Sequence, residues 1–130
     1  MERSDVVRWM DAYVHAWETY APQEIGALFA EDATYYYHPF DEPVRGRKAI
    51  VDSWLKDPDP PGTYEGRYEP IAIDGDTAVV NGRSRYFKDS ARSEPTKQWD
   101  NIFVIRFDGD GLCSSFQEWY VAPLGQADGS

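Results

Sequence analysis

Two side chains in this sequence carry the chemistry of proton transfer close to neutral pH. His38 stands directly before Pro39, and an imidazole, with an ordinary pKa of roughly 6.5, can act as a general base at a strand end. Its plainer reading is a histidine bonded to a turn carbonyl beside the proline. Glu118 is the second. A carboxyl facing an aromatic hollow loses hydration, which favours its neutral form and makes it a working acid or base. Its plainer reading is a partner for Arg83 or Arg85 across a sheet, or for a helix terminus. Tyr13, Tyr35 and Asn101 add groups able to orient a carbonyl or hydroxyl. Tyr13 would serve equally as a core ring with its hydroxyl in solvent.

Such groups need elements to hold them. After Ser4, a capping residue type, Val6, Met10, Tyr13, Val14 and Trp17 recur at helical spacing and predict a helix to about Tyr20. Pro22 suits the first turn of a short second helix, with Ile25, Leu28 and Phe29 on one side and an end at Glu31-Asp32. Thr34 to Tyr37 reads as a short strand closed by His38-Pro39. Gly46 precedes a third helix with an apolar stripe of Ile50, Val51, Trp54 and Leu55, stopped by Pro58, Pro60, Pro61 and Gly62. The Asp57 to Gly62 stretch reads as a rigid loop able to form the lip of a cavity.

From Tyr64 the apolar period becomes two, predicting strands near Tyr64–Ile73, Thr77–Phe87, Lys97–Phe107 and Leu112–Val121 with turns at Asp74-Gly75-Asp76 and Asp108 to Gly111. Helices followed by a strand meander imply one α+β domain over residues 1–130, with three N-terminal helices gathered on one face of a curved antiparallel sheet. Met1 to Ser4 and the tail from Gly125 read as dispensable. Alternation turns Val80, Ser84 and Tyr86, and then Trp99, Asn101, Phe103 and Ile105, inward. In the last strand both Phe116-Glu118-Tyr120 and Gln117-Trp119-Val121 are mixed sets, and periodicity leaves the inner one open.

Aromatic residues make up 15% of the chain, including five Trp and nine Tyr, and each large ring buries on the order of 150–250 Å². Trp17, Tyr35, Tyr37, Trp54, Tyr86, Trp99 and Phe103 exceed what a small core uses, so a subset should border a void that accepts a small hydrophobic molecule. The net charge of −10 repels phosphate backbones and anionic lipid heads, which argues against nucleic-acid and membrane partners. A polar start and the lack of a long apolar run make a cytoplasmic protein the expectation. Cys113 is the single cysteine and His15 and His38 the only histidines, so no disulfide, metal site or cofactor is expected. Asp108-Gly109-Asp110-Gly111 opens like a calcium loop, but Leu112 occupies the third ligand position.

Four segments carry a resemblance: Tyr13 to Trp17, LFAEDATYYYHP from Leu28 to Pro39, VRGRKAI from Val44 to Ile50, and FQEWY from Phe116 to Tyr120. Over nearly its whole length the chain resembles the nuclear transport factor 2-like superfamily, in its SnoaL-like and ketosteroid isomerase-like branch. The resemblance implies a cone of bent sheet (a cystatin-like α+β barrel) plugged by helices, a pocket at the wide end and a homodimer through the outer sheet face. Ketosteroid isomerases use a carboxylate base, with a Tyr and a protonated Asp on the enolate oxygen. Tyr13 matches that Tyr and His38 lies close to the base position, while Phe103 stands at the protonated-Asp position. In the limonene-type epoxide hydrolases, Tyr35 and Glu118 find counterparts in kind. There Trp99 and Asn101 replace an Arg and an Asp, and Tyr37 replaces an Asn.

That second comparison implies that Glu118 turns inward with Phe116 and Tyr120, leaving Trp119 on the outer face as a dimer contact. The expected function is cofactor-independent acid/base chemistry of isomerase, cyclase, dehydratase or hydrolase type on an apolar, oxygen-bearing compound. His38, Glu118 and Tyr13 are the expected catalytic groups, with Trp17, Tyr35, Tyr37, Trp54, Tyr86, Trp99, Asn101, Phe103 and Tyr120 around the substrate. The alternative is a non-catalytic binding or interaction module of the same fold.

Overall fold

The first helix, α1, spans Arg3–Thr19 and begins earlier than a cap at Ser4 would allow. Asp5 is the reason: its carboxylate accepts a hydrogen bond from the Glu2 backbone N–H at 2.9 Å, satisfying a donor that the helix leaves free. Glu2 is thereby tied into the helix start, and Arg3 adds a tie by donating to the Pro70 carbonyl at 2.6 Å. One face of α1 buries Val6, Trp9, Met10, Tyr13 and Ala16. Tyr20 ends it in the left-handed region, at φ 51°. The computed structural model describes residues 1–126. Of the tail from Gly125, residues 127–130 lie outside this range, and Gln126 is anchored by two bonds between its side-chain amide and the Gln98 backbone, at 2.8 and 2.9 Å.

Helix α2 is a single turn, Pro22–Gly26, shorter than its apolar spacing predicts. Leu28 and Phe29 belong instead to the entry of strand β1, Phe29–Tyr36. The Leu28 carbonyl accepts from the Cys113 N–H at 2.9 Å and from Trp9 Nε1 at 3.0 Å, so pairing with distant chain outcompetes another helical turn. Glu31 and Asp32 lie in an irregularity of the ladder between Phe29 and Thr34 and point to solvent, rather than ending a helix. A two-residue strand, β2 (Val44–Arg45), follows, and Gly46 then links it to helix α3, Arg47–Lys56. Its φ of +91° is one that a glycine adopts freely.

Four long strands complete the chain: β3 Tyr64–Asp74, β4 Thr77–Phe87, β5 Pro95–Phe107 and β6 Cys113–Val121. The sheet order is β2-β1-β6-β5-β4-β3. The expected antiparallel meander is present, but β1 runs parallel to β6, so the sheet is mixed, curved and unclosed rather than wholly antiparallel. Its inner face buries Val80, Ser84, Trp99, Asn101, Phe103, Ile105 and Phe116 against α1 and α3. On the outer face Arg83 pairs with Asp100 at 3.3 Å and Arg85 with Glu65 at 3.1 Å. Both arginines are thus occupied away from Glu118.

The close packing of β3 on β4 depends on missing side chains. Gly82 sits opposite Tyr68 in the β3–β4 ladder, and a β-carbon there would run into the Arg67 carbonyl and come within 2.6 Å of Tyr68 Cα. At Gly66 a β-carbon would meet the Tyr68 hydroxyl at 2.5 Å. The two glycines leave the slot in which the Tyr68 ring lies. Since backbone borders that slot, Gly82→Ala should lower stability by about 1–3 kcal/mol, read as a drop in the urea midpoint. An unchanged midpoint would mean that the strands separate freely.

Candidate functional site

A cavity of about 240 Å³ opens between the inner sheet face, α1 and α3. Helix α1 and its C-cap supply Tyr13, Trp17 and Tyr20, and α3 supplies Ser53 and Trp54. The loop after α3 brings Asp57 and Asp59. Tyr35 and Tyr37 come from β1 and its end, Tyr68 from β3, Ser84 and Tyr86 from β4, Phe103 from β5 and Glu118 from β6. Parity explains the last three strands, since Ser84 lies opposite Trp99, and Phe103 stands between Val80 and Glu118 in the ladder.

Glu118 is the distinctive group. Burial among rings pushes its carboxyl up to about 7, and a hydrogen bond from Asn101 pulls the other way. That bond, Asn101 Nδ2 to Glu118 Oε2 at 2.9 Å, ends a chain. The Tyr68 hydroxyl lies 2.5 Å from Ser84 Oγ, and Ser84 Oγ donates to Asn101 Oδ1 at 2.8 Å. Each member thus passes a donor toward the carboxylate and fixes its rotamer. Among the described residues, hydrogen bonds reach Glu118 only at Oε2, leaving Oε1 for a ligand.

Two hydroxyls stand nearby. Tyr13 and Tyr35 oxygens lie 3.3 Å apart, long for an O–H···O bond, so either can turn to a ligand oxygen. Burial, then the charge of Glu118, pushes Tyr13 well above the ordinary tyrosine range. Burial does the same to Tyr35, with Tyr13 and Glu118 adding to it. Both are neutral donors at working pH. Tyr37 bonds Ser53 Oγ at 2.7 Å. Trp54 Nε1 is the one buried side-chain polar atom without a partner among the described residues, held among the rings of Tyr13, Phe29 and Tyr35.

The mouth is tied by Asp59. Its Oδ2 accepts from Trp17 Nε1 at 3.0 Å and from the Tyr20 hydroxyl at 3.2 Å, and its backbone N–H donates to that hydroxyl at 3.0 Å. The proline-rich stretch is thereby laced to the end of α1, in the position expected of a lip.

Of the residues singled out from sequence, Tyr13, Trp17, Tyr35, Tyr37, Trp54, Tyr86, Phe103 and Glu118 border the cavity. Asn101 lies one layer behind it, 2% exposed, as the support of Glu118. Trp99 and Tyr120 turn inward but pack on each other, with ring centres 5.1 Å apart, away from the cavity lining. His38 is outside it as well. Strand β1 ends at Tyr36, and the turn beyond carries the imidazole to Phe40, whose N–H donates to His38 Nδ1 at 3.2 Å. His38 is thus held in a turn, but as an acceptor from an N–H rather than through a carbonyl.

Sequence reasoning missed Tyr20, Ser53, Asp57, Asp59, Tyr68 and Ser84 as site residues. For Tyr68 there was a signal, since Gly66 and Gly82 in strand interiors mark a close approach. Ser84 was already on the inner face by parity. Among the described residues no group of three or more His, Cys, Asp or Glu side chains is arranged to hold a metal, and no helix is long and apolar enough to cross a membrane.

A solved structure of a ketosteroid isomerase-like protein from Kribbella flavida superposes with a TM-score of 0.70 at 19% identity, covering 98% of this chain and 85% of that one. At that identity the likeness speaks for the fold. No curated protein matches the sequence. The model of the SnoaL-like domain matches residues 10–116, from within α1 to Phe116 in β6, and stops just short of Glu118. The chain therefore belongs to the SnoaL-like domain family, within the nuclear transport factor 2-like superfamily.

Proposed function

We propose that this protein is a cofactor-independent acid/base enzyme that binds a small, largely apolar molecule carrying a carbonyl or hydroxyl and moves a proton on it with Glu118. The observation that carries this reading is a desolvated carboxyl at about 7, bordering an aromatic cavity and held through Asn101. A group with that pKa is present in both protonation states near neutral pH, so it can take a proton from a substrate and return it. Tyr13 and Tyr35 would hold the substrate oxygen as negative charge develops on it. The proton-transfer role expected of His38 passes to Glu118 alone, because the imidazole does not border the cavity.

That same lack of a second acid/base group in the cavity interior favours one other reading, a binding module of the same fold without turnover. A screen of ketones, lactones and epoxides separates the two. For any compound turned over, the rate should rise with pH through about 7 and level off. Glu118→Gln should lower kcat by roughly 10²–10⁴-fold with ligand affinity retained, whereas His38→Ala should keep it. Binding without turnover across the screen would leave the module.

Glu118 also makes stability depend on pH. Its carboxyl titrates at 4.5 when unfolded and at about 7 when folded, so the native state holds the proton more tightly. The stabilisation this gives is complete below 4.5 and is lost as pH rises to about 7, a change of about 3 kcal/mol. Glu118→Gln should therefore be more stable than the parent at pH 8, by up to ~3 kcal/mol, and equal to it below the unfolded pKa. Urea titrations at the two pH values measure this, and a variant less stable at both would count against a desolvated carboxylate.

Two copies pair through the outer sheet face. Support comes from Trp119 and Val121, 40% and 67% exposed, and from Ile102, which neighbours Trp119 in the ladder. Light scattering should give a dimer for the parent and a monomer for Trp119→Asp. A parent already monomeric at micromolar concentration ends that reading.

A further inference from the structure

The cavity mouth has an electrostatic character that the acid/base reading does not use. Apart from the tyrosines, every ionisable side chain that borders the cavity is acidic, namely Asp57, Asp59 and Glu118. The arginines near the lip are engaged elsewhere. Arg92 donates to the Gly62 and Tyr64 carbonyls at 2.9 and 3.1 Å, and Arg85 pairs with Glu65 at 3.1 Å. Neither borders the cavity, nor does any lysine or histidine. An anionic ligand would therefore bring its charge among like charges, with no basic side chain bordering the cavity to meet it.

The rings at the mouth are arranged the opposite way. Trp17 and Tyr86 meet at 64° with centroids 6.1 Å apart, and Tyr20 closes a third side. All three rings border the cavity, and an aromatic ring attracts a cation that reaches its face. Tyr86 already makes one such contact, with Lys97 Nζ 5.0 Å from its ring centre. Asp59 is fixed beside these rings by Trp17 and Tyr20, and among the described residues hydrogen bonds reach its carboxylate only at Oδ2. Size narrows the ligand further. A volume of about 240 Å³ exceeds the roughly 150 Å³ of an engineered cavity that takes benzene, which suits one or two rings with a short polar arm.

We propose that the cavity selects a one- or two-ring molecule bearing a protonated amine or quaternary ammonium, seated at the mouth among Trp17, Tyr20, Tyr86 and Asp59. The apolar body then extends inward to Phe103 and Tyr13, with any reacting oxygen near Glu118. This rests on the reading of the cavity as a ligand site, and deepens it by assigning the charge of the ligand.

A matched set of probes tests it: phenethylamine, phenethyl alcohol and phenylacetate, titrated calorimetrically into the full chain at low salt. The amine should bind at least about tenfold more tightly than the alcohol, and phenylacetate most weakly. Asp59→Asn keeps a hydrogen-bond acceptor for Trp17 while removing the charge. It should weaken the amine by about tenfold and leave the alcohol within about twofold. Equal affinity for alcohol and amine, or tighter binding of phenylacetate, overturns the charge preference while the cavity still stands as a ligand site. Asp59→Asn weakening all probes alike also overturns it. Binding of none of the three sinks both.

Discussion

Phe116 packs against two tyrosines. Its ring stacks on Tyr13 at 5.4 Å and 13° and on Tyr35 at 4.6 Å and 10°, so one residue of β6 joins the first helix to the first strand. Phe103 closes the side at 4.8 Å. Offset ring pairs of this kind add roughly 0.5–1.5 kcal/mol each beyond the area they bury, and their more important effect is geometric. The two tyrosine hydroxyls lie 3.3 Å apart, and both rings pack nearly parallel to the same phenylalanine. Two residues further along β6, the alternation of the strand delivers Glu118 to the same side. The stack thus sets where donors and carboxyl stand relative to one another.

A carboxyl placed there loses solvation, and the surrounding polar chain compensates only in part. Asn101 reaches one oxygen, Ser84 orients Asn101, and Tyr68 orients Ser84. Tyr68 can take part only because Gly66 and Gly82 leave room for its ring. A glycine in the outer half of the sheet is in this way connected, through three hydrogen bonds, to the proton affinity of a group on β6. A carboxyl with its pKa raised in this way lowers the stability of the fold as pH rises toward neutral.

The parts legible from sequence were those governed by local pattern. The apolar stripe of α1 and the alternation of β4 and β5 placed Tyr13, Trp17, Tyr86 and Phe103 correctly, because period alone decides which face is buried. What failed was decided by distant pairing. The start of β1 is set by its parallel alignment with β6, more than seventy residues away, and Leu28-Phe29 satisfy helical spacing equally well. The inner face of β6 could not be chosen from period, because the outer set carries Trp119 and Val121. Asp59 and His38 lie in loops, where no period exists: one was brought to the mouth by an indole N–H, and the other was carried away by a turn.

An unclosed sheet has two free borders, and each is blunt. At one, β2 contributes only two residues. At the other, β3 carries Pro70, which lacks an N–H, has a break in its ladder between Pro70 and Ala72, and gives its Pro70 carbonyl to Arg3. Strand-to-strand addition that would extend the sheet from one molecule into the next, and so run on into fibres, meets no continuous template at either side.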